Sequence, residues 1–273
     1  MKLKQKLLEL RAARKAILAA NFYNFETLKG ILLAAKETHL PVILQLSRSS
    51  IDYIGLNMAV NMAKRGIEEY QVQGWLHLDH GDNVELVKRC LDAGFDSVMI
   101  DASQLQFEDN VLLTMQVVET AKKYEANVEA ELGYIAKLGQ PQSGYAYTLP
   151  EEAERFVRLT GVDCLAIAIG SAHGFYKEEP NLRIDILKQV REVTSAVLVL
   201  HGSSGIGANM LKDAVRNGIS KINLATEIKD TFMSSLRHQM AISQEIDLRK
   251  VFPPAIKSVA NLVKDKLLLI DTA

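Results

Sequence analysis

Three of the six histidines in the chain, His80, His173 and His201, each stand at or just beyond the end of an apolar, strand-like run. Neutral imidazoles converging on one point, with a coordination position left open, are a zinc pattern. Taken singly, any of them reads as a buried histidine bonded to a neighbouring carbonyl; three at the strand ends of one sheet favour a metal. Asp79 precedes His80 and could give and take protons beside a metal-bound substrate. The competing reading is an acid that only orients a histidine. His77 lies inside the same strand and reads as a support for the site, while His39 and His238 read as surface groups. Glu129 and Glu131, two apart on one strand, share a face, so one could approach the metal while the other sits deeper. Asp101 ends another strand and could bind a second cation; these acids could equally cap the helices that follow them.

The run Val197-Leu198-Val199-Leu200 passes through His201 into Gly202-Ser203-Ser204-Gly205. Small residues leave the backbone N–H groups of that loop open where the next helix begins, a suitable seat for a phosphate. An ordinary strand-to-helix turn is the alternative. Asn223-Leu224-Ala225-Thr226 is a second donor-rich loop, and neither loop contains a lysine or arginine. A metal beside a phosphate seat implies a small phosphorylated substrate whose carbonyl a Lewis acid polarises. Asn21 and Ser47 end two further strands and face the same place.

The elements that must position these residues are legible in the hydrophobic pattern. Apolar runs near Ala16–Phe22, Pro41–Leu46, Trp75–Asp79, Ser97–Asp101, Asn127–Glu131, Cys164–Ile169, Val197–His201 and Lys221–Leu224 alternate with amphipathic helices, the pattern of repeated βα units. Gly94, Gly161 and Gly218 repeat one junction, each closing a helix just before a strand. Eight such units in 273 residues fit an α/β (β/α)8 barrel, whose functional residues gather at the C-terminal ends of the strands. A doubly wound sheet would carry a Gly-x-Gly-x-x-Gly turn after its first strand, and none is present. Extra helices near Lys2–Arg14 and Ala255–Leu269 flank the barrel, and residues 1–273 read as one domain. With 32 basic and 33 acidic residues and a net charge of −1, the chain has no basic stripe for nucleic acid. No apolar run approaches the ~18 residues of a membrane span, and no signal peptide is visible, so a cytoplasmic protein is expected. Its two cysteines, Cys90 and Cys164, read as buried reduced thiols.

At this point the chain resembles the class II, metal-dependent ketose-bisphosphate aldolases of the fructose- and tagatose-bisphosphate type. The likeness runs nearly full length through Leu76-His77-Leu78-Asp79-His80-Gly81, Ser97 to Ser103, Val128 to Gly133, Gly170-Ser171-Ala172-His173-Gly174, Leu200 to Gly205 and Lys221 to Thr226. The resemblance implies that His80, His173 and His201 bind Zn²⁺, that Asp79 is the proton donor in condensation and acceptor in cleavage, and that Glu131 is an alternative metal-contacting carboxylate. It implies further that Gly174, Gly202, Ser203, Ser204, Asn223, Leu224, Ala225 and Thr226 bind dihydroxyacetone phosphate, with Asn21 and Ser47 on the same half of the substrate. A homodimer or homotetramer is expected.

Two departures stand out. Ser203 replaces the usual glycine or alanine and adds a hydroxyl. After the fifth strand, where the family carries Gly-Gly-x-Glu-Asp, this chain reads Tyr134-Ile135-Ala136-Lys137-Leu138-Gly139-Gln140-Pro141. Those acids move a proton at the dihydroxyacetone phosphate carbon, and a glycine cannot. Two readings follow: a zinc aldolase acting on a ketose phosphate, favoured because every metal and phosphate residue is kept, and an aldolase-like barrel that binds a sugar phosphate with weak or altered turnover.

Overall fold

The computed structural model describes residues 1–133, 135, 147–176 and 180–273. The eight expected strands pair in parallel and close into a barrel in sequence order: β1 (Ile17–Asn21), β2 (Val42–Ser47), β3 (Gly74–Gly81), β4 (Ser97–Ile100), β5 (Asn127–Leu132), β6 (Cys164–Ile167), β7 (Val197–Leu200) and β8 (Ile219–Leu224). The fold is a (β/α)8 barrel. β8 begins two residues earlier than its apolar run suggests, and β3 runs two residues longer at its C-terminal end. The helices before β4, β6 and β8 close on Gly94, Gly161 and Gly218, all with positive φ.

Because side chains alternate along a strand, each strand divides its residues between two cores. One half, including Leu18, Leu44, Leu76, Val98 and Leu198, packs against the surrounding helices. The other half points into the barrel and changes character along its axis. At the N-terminal end Ile17, Ile43, Trp75, Cys164 and Val197 form an apolar layer. Two residues later on several strands stand Gln45, His77, Glu129 and Lys221, all buried. Two residues beyond those come Ser47, Asp79, Glu131 and Asn223.

The apolar layer is closed from below by the N-terminal helix Leu3–Ala13, which buries Leu3, Leu7 and Leu10 against it. Their i, i+4, i+7 spacing puts them on one face, and burying each contributes about 1.5–3 kcal/mol. The helix stops at Arg14, whose left-handed backbone donates its N–H to the carbonyls of Arg11 and Leu10. With that end plugged, the barrel interior opens toward the C-terminal ends of the strands. The C-terminal helix Pro253–Asp271 packs beside the helices Phe25–Thr38 and Thr226–Ile242.

Candidate active site

A regular strand would turn Asp79 and His80 to opposite faces. β3 avoids this with a register shift between Leu78 and Gly81, and His80 itself takes a left-handed backbone, φ 50°. A bulge of this kind re-aims side chains near a site, and a non-glycine residue held there costs energy that packing must supply. The result is that two adjacent residues both serve the barrel mouth.

There His80 meets His173 and His201. Their ring centroids lie 5.0 Å (His80 to His173), 4.8 Å (His80 to His201) and 5.8 Å (His173 to His201) apart, and one nitrogen from each falls within 4.8 Å of the others. The outer nitrogens are already committed. His80 Nδ1 donates to Asp101 Oδ2 at 2.7 Å, and His201 Nε2 donates to Glu129 Oε1 at 2.9 Å. That leaves His80 Nε2 and His201 Nδ1 facing each other at 3.2 Å, a separation that either a proton or a metal ion bridges. His173 Nδ1 is buried without a hydrogen-bond partner among the described residues. Zinc–nitrogen bonds of about 2.0–2.1 Å at tetrahedral angles separate two ligand atoms by roughly 3.4 Å, so the donor set fits one zinc ion. His80, Asp101 and Glu131 form a second cluster of suitable atoms. It shares His80 with the first, and Asp101 Oδ2 already accepts the His80 proton.

The electrostatics follow from burial. Burial and the neighbouring His80 and His201 hold His173 down to about 3, so it is neutral. Burial also lowers His201, against the pull of Glu129. For His80 burial is outweighed by Asp79, the Asp101 hydrogen bond and Glu131, which raise it to about 9. Glu131 is pushed up to about 8 by burial and by Asp101; its Oε2 lies 3.5 Å from His201 Nδ1. His77, neutral through burial and Lys221, hydrogen-bonds Ser97 Oγ at 2.8 Å and lies 3.8 Å from Glu129. The structure therefore stacks it behind the carboxylate that holds His201.

Asp79 sits between two amides. Asn21 Nδ2 donates to Oδ2 at 2.8 Å and Asn223 Nδ2 donates to Oδ1 at 3.2 Å. Gln45 Nε2 in turn donates to Asn21 Oδ1 at 3.0 Å, which fixes the direction of that amide. Burial works against ionisation of Asp79, but His80, His201, Lys221 and the Asn21 hydrogen bond outweigh it and keep its pKa below the usual carboxylate range. An ionised carboxylate held this way accepts a proton.

Beside Asp79 and His80 opens a cavity of about 670 Å³, walled in part by Asn21, Ser47, Gly174, Gly202, Ser203, Ser204, Asn223, Ala225 and Thr226. Gly202 has φ 65°, and a Cβ there would lie 2.4 Å from the Ala172 carbonyl oxygen; only glycine lets the loops after β6 and β7 touch. Tyr176 ties the same loops, its hydroxyl accepting from Ala172 N–H at 2.6 Å and donating to the Gly202 carbonyl at 2.8 Å. Ser203 Oγ donates to the Asn223 carbonyl, and Ser204 Oγ accepts from Glu227 N–H at 3.2 Å. The loops after β7 and β8 are thereby braced at the N-terminus of the helix Thr226–Ile242, where an anion is favoured.

Leu224, expected as a substrate contact, is the last residue of β8, and its side chain packs in the helix-facing core, away from the cavity wall. The two loops contain no lysine or arginine, yet Lys229, one turn into the next helix, lines the cavity; it is the single lysine or arginine among the described residues that do so. Its signal was helical spacing from Thr226, not a motif. Tyr176 and Gln45 also escape a motif reading, because each acts through a contact distant in sequence; Lys221 opens one of the motifs, but its contact with Glu129 appears only in the fold. Tyr134 and Gly139, on which the missing loop acids turn, lie outside the described residues.

The match to known proteins agrees with this geometry. The family described as fructose-bisphosphate aldolase class-II matches residues 1–273. A fructose-bisphosphate aldolase of Geobacillus stearothermophilus is 40% identical, with 97% of this chain and 94% of that protein covered. The D-tagatose-1,6-bisphosphate aldolase subunit GatY of Klebsiella oxytoca is 35% identical over 96% of this chain and 94% of that protein. Among solved structures, the YdjI aldolase from Escherichia coli K12 superposes with a TM-score of 0.89 at 32% identity, covering 98% of this chain and 96% of the other. Matched over its whole length, and at two-fifths identity by a member, the chain belongs to the class-II fructose-bisphosphate aldolase family.

Proposed function

We propose that this aldolase uses Zn²⁺ held by His80, His173 and His201 to cleave a ketose bisphosphate into dihydroxyacetone phosphate and an aldehyde. The observation that carries the reading is the pair of oriented imidazoles: Asp101 and Glu129 take the outer protons of His80 and His201 and turn His80 Nε2 and His201 Nδ1 toward one another, 3.2 Å apart. When bound, the ion supplies Lewis acidity that polarises the substrate carbonyl. The chain's own residues do the rest. Asp79, ionised between Asn21 and Asn223, accepts the proton of the hydroxyl on the departing aldehyde half while the adjacent carbon–carbon bond breaks toward the carbonyl. In condensation the same carboxyl returns that proton to the aldehyde oxygen. Gly174, Gly202 to Ser204, Ala225 and Thr226 hold the phosphate through N–H groups and hydroxyls, with Asn21 and Ser47 on the same half of the substrate.

Support for a bisphosphate comes from relatives named for fructose and tagatose bisphosphates and from Lys229 on the cavity wall. The test is zinc analysis with turnover. One Zn²⁺ per chain, activity lost to a chelator and restored by zinc, establishes the reading; full activity in the chelated protein, or a borohydride-trapped Schiff base, overturns it. A panel of ketose phosphates then identifies the substrate. We also read the enzyme as a cytoplasmic homodimer or homotetramer. The reading is supported by two free buried cysteines and by exposed Met240, Ile242, Ile246 and Leu248, and light scattering on the purified protein tests the assembly.

A further inference from the structure

Lys221 is a lysine inside the barrel, 1% exposed, and its ammonium touches both halves of the site. Nζ lies 2.8 Å from Glu129 Oε2 and donates to Asn223 Oδ1 at 2.8 Å. Through Glu129 it reaches His201, and through Asn223 it reaches Asp79. The chemistry of the ammonium decides what each arm can do, since it carries three donors and no acceptor.

On the first arm, Glu129 is fully buried, and an unpaired buried carboxylate is costly. Beside Lys221 it stays ionised, so it is an acceptor only. His201 must then carry its proton on Nε2, and Nδ1 is left bare. On the second arm, the Asn223 atom facing Nζ must be the carbonyl oxygen. The amide nitrogen therefore faces Asp79 and donates to it. A reversed amide would set an oxygen against the carboxylate. The two ends of Asn223 differ by only a rotation of the side chain, and Lys221 selects between them.

We propose that Lys221 is a positioning residue that sets both the tautomer of His201 and the orientation of the amide holding Asp79. The proposal rests on the roles given above to His201 and Asp79. Zinc content and chelator sensitivity of the unaltered enzyme check those roles separately.

The test compares Glu129→Gln with the double variant Lys221→Met/Glu129→Gln. Lys221→Met alone would strand Glu129 and could unfold the barrel, whereas a neutral pair in place of a buried ion pair is commonly tolerated. Glu129→Gln should weaken zinc binding by about 10- to 100-fold, the usual cost of losing a partner behind a metal ligand. The double variant should bind zinc as the single one does and melt at a similar temperature. At saturating zinc its kcat should nevertheless be lower by about 10- to 100-fold, the scale of a misplaced reacting group, with KM little changed. Adding Asn223→Ala to both should erase that difference, because the second arm has then gone. Equal kcat in the single and double variants would overturn the proposal and leave Lys221 as a counter-ion for Glu129. So would a kcat gap that survives Asn223→Ala, or a double variant that does not fold.

Discussion

At the residue scale the site is a set of protons in assigned places. Asp79 is ionised and lies outside the three imidazoles proposed to hold the metal, so Asp79→Ala should leave zinc content near one per chain. Cleavage should slow by about 10²–10⁴-fold, the range for a general acid–base group; metal analysis beside steady-state kinetics checks both, and loss of zinc would show that Asp79 supports the metal instead. His80 sets the pH dependence of the metal. Its pKa is raised from an ordinary 6.5 to about 9, so in the metal-free protein its proton stabilises the fold below pH ~6.5, and that contribution is lost as pH rises through ~9. Zinc needs the nitrogen that this proton occupies. Glu131, pushed up to about 8, becomes anionic over the same interval. Apparent zinc affinity should therefore climb as pH rises from ~6.5 to ~9 and then level off. Competition against a chromophoric chelator at several pH values measures it; affinity flat across that interval would mean His80 holds no such proton.

At the element scale, loops meet only because particular backbones allow it. Tyr176 spans the loops after β6 and β7 with one hydroxyl, and Tyr176→Phe keeps the ring while removing both bonds. Two hydrogen bonds at about 0.5–1.5 kcal/mol each predict a KM for the phosphorylated substrate raised by roughly five- to 100-fold, with zinc binding retained. Kinetics on the variant decide whether the clamp shapes the phosphate seat; an unchanged KM means that it does not. The loop after β5 carries a different expectation. Counting eight residues on from Glu131 puts Gly139 where the resemblance calls for the first loop acid, and glycine transfers no proton. Loss of label from stereospecifically tritiated dihydroxyacetone phosphate should be slow in the unaltered enzyme and faster in Gly139→Glu. Fast exchange without the substitution would show that another base serves that carbon.

At the scale of the whole molecule, stability and chemistry occupy opposite ends of the barrel. The N-terminal helix plugs the closed end through Leu7, 1% exposed, far along the barrel from Asp79. Leu7→Ala should cost about 2–5 kcal/mol in a denaturant titration while leaving kcat unchanged at temperatures where the protein is folded. A parallel fall in kcat would show that the plug tunes the site.

The β/α alternation, the eight units and the strand ends bearing His80, His173, His201, Asp79 and Glu131 are all local features, written in hydrophobic periodicity and short motifs, and the sequence alone determined them. It also marked the loops proposed to hold the phosphate, because small residues before a helix leave backbone N–H groups open. Only the closed barrel decided the rest. The bulge that turns both Asp79 and His80 into the mouth depends on a register with β4. Strand alternation points the Leu224 side chain outward, into the helix-facing core. Glu129, Lys221 and Asn223 become one network because β5 and β8 face each other across the interior, and no spacing along a chain records which residues share the inside of a closed sheet.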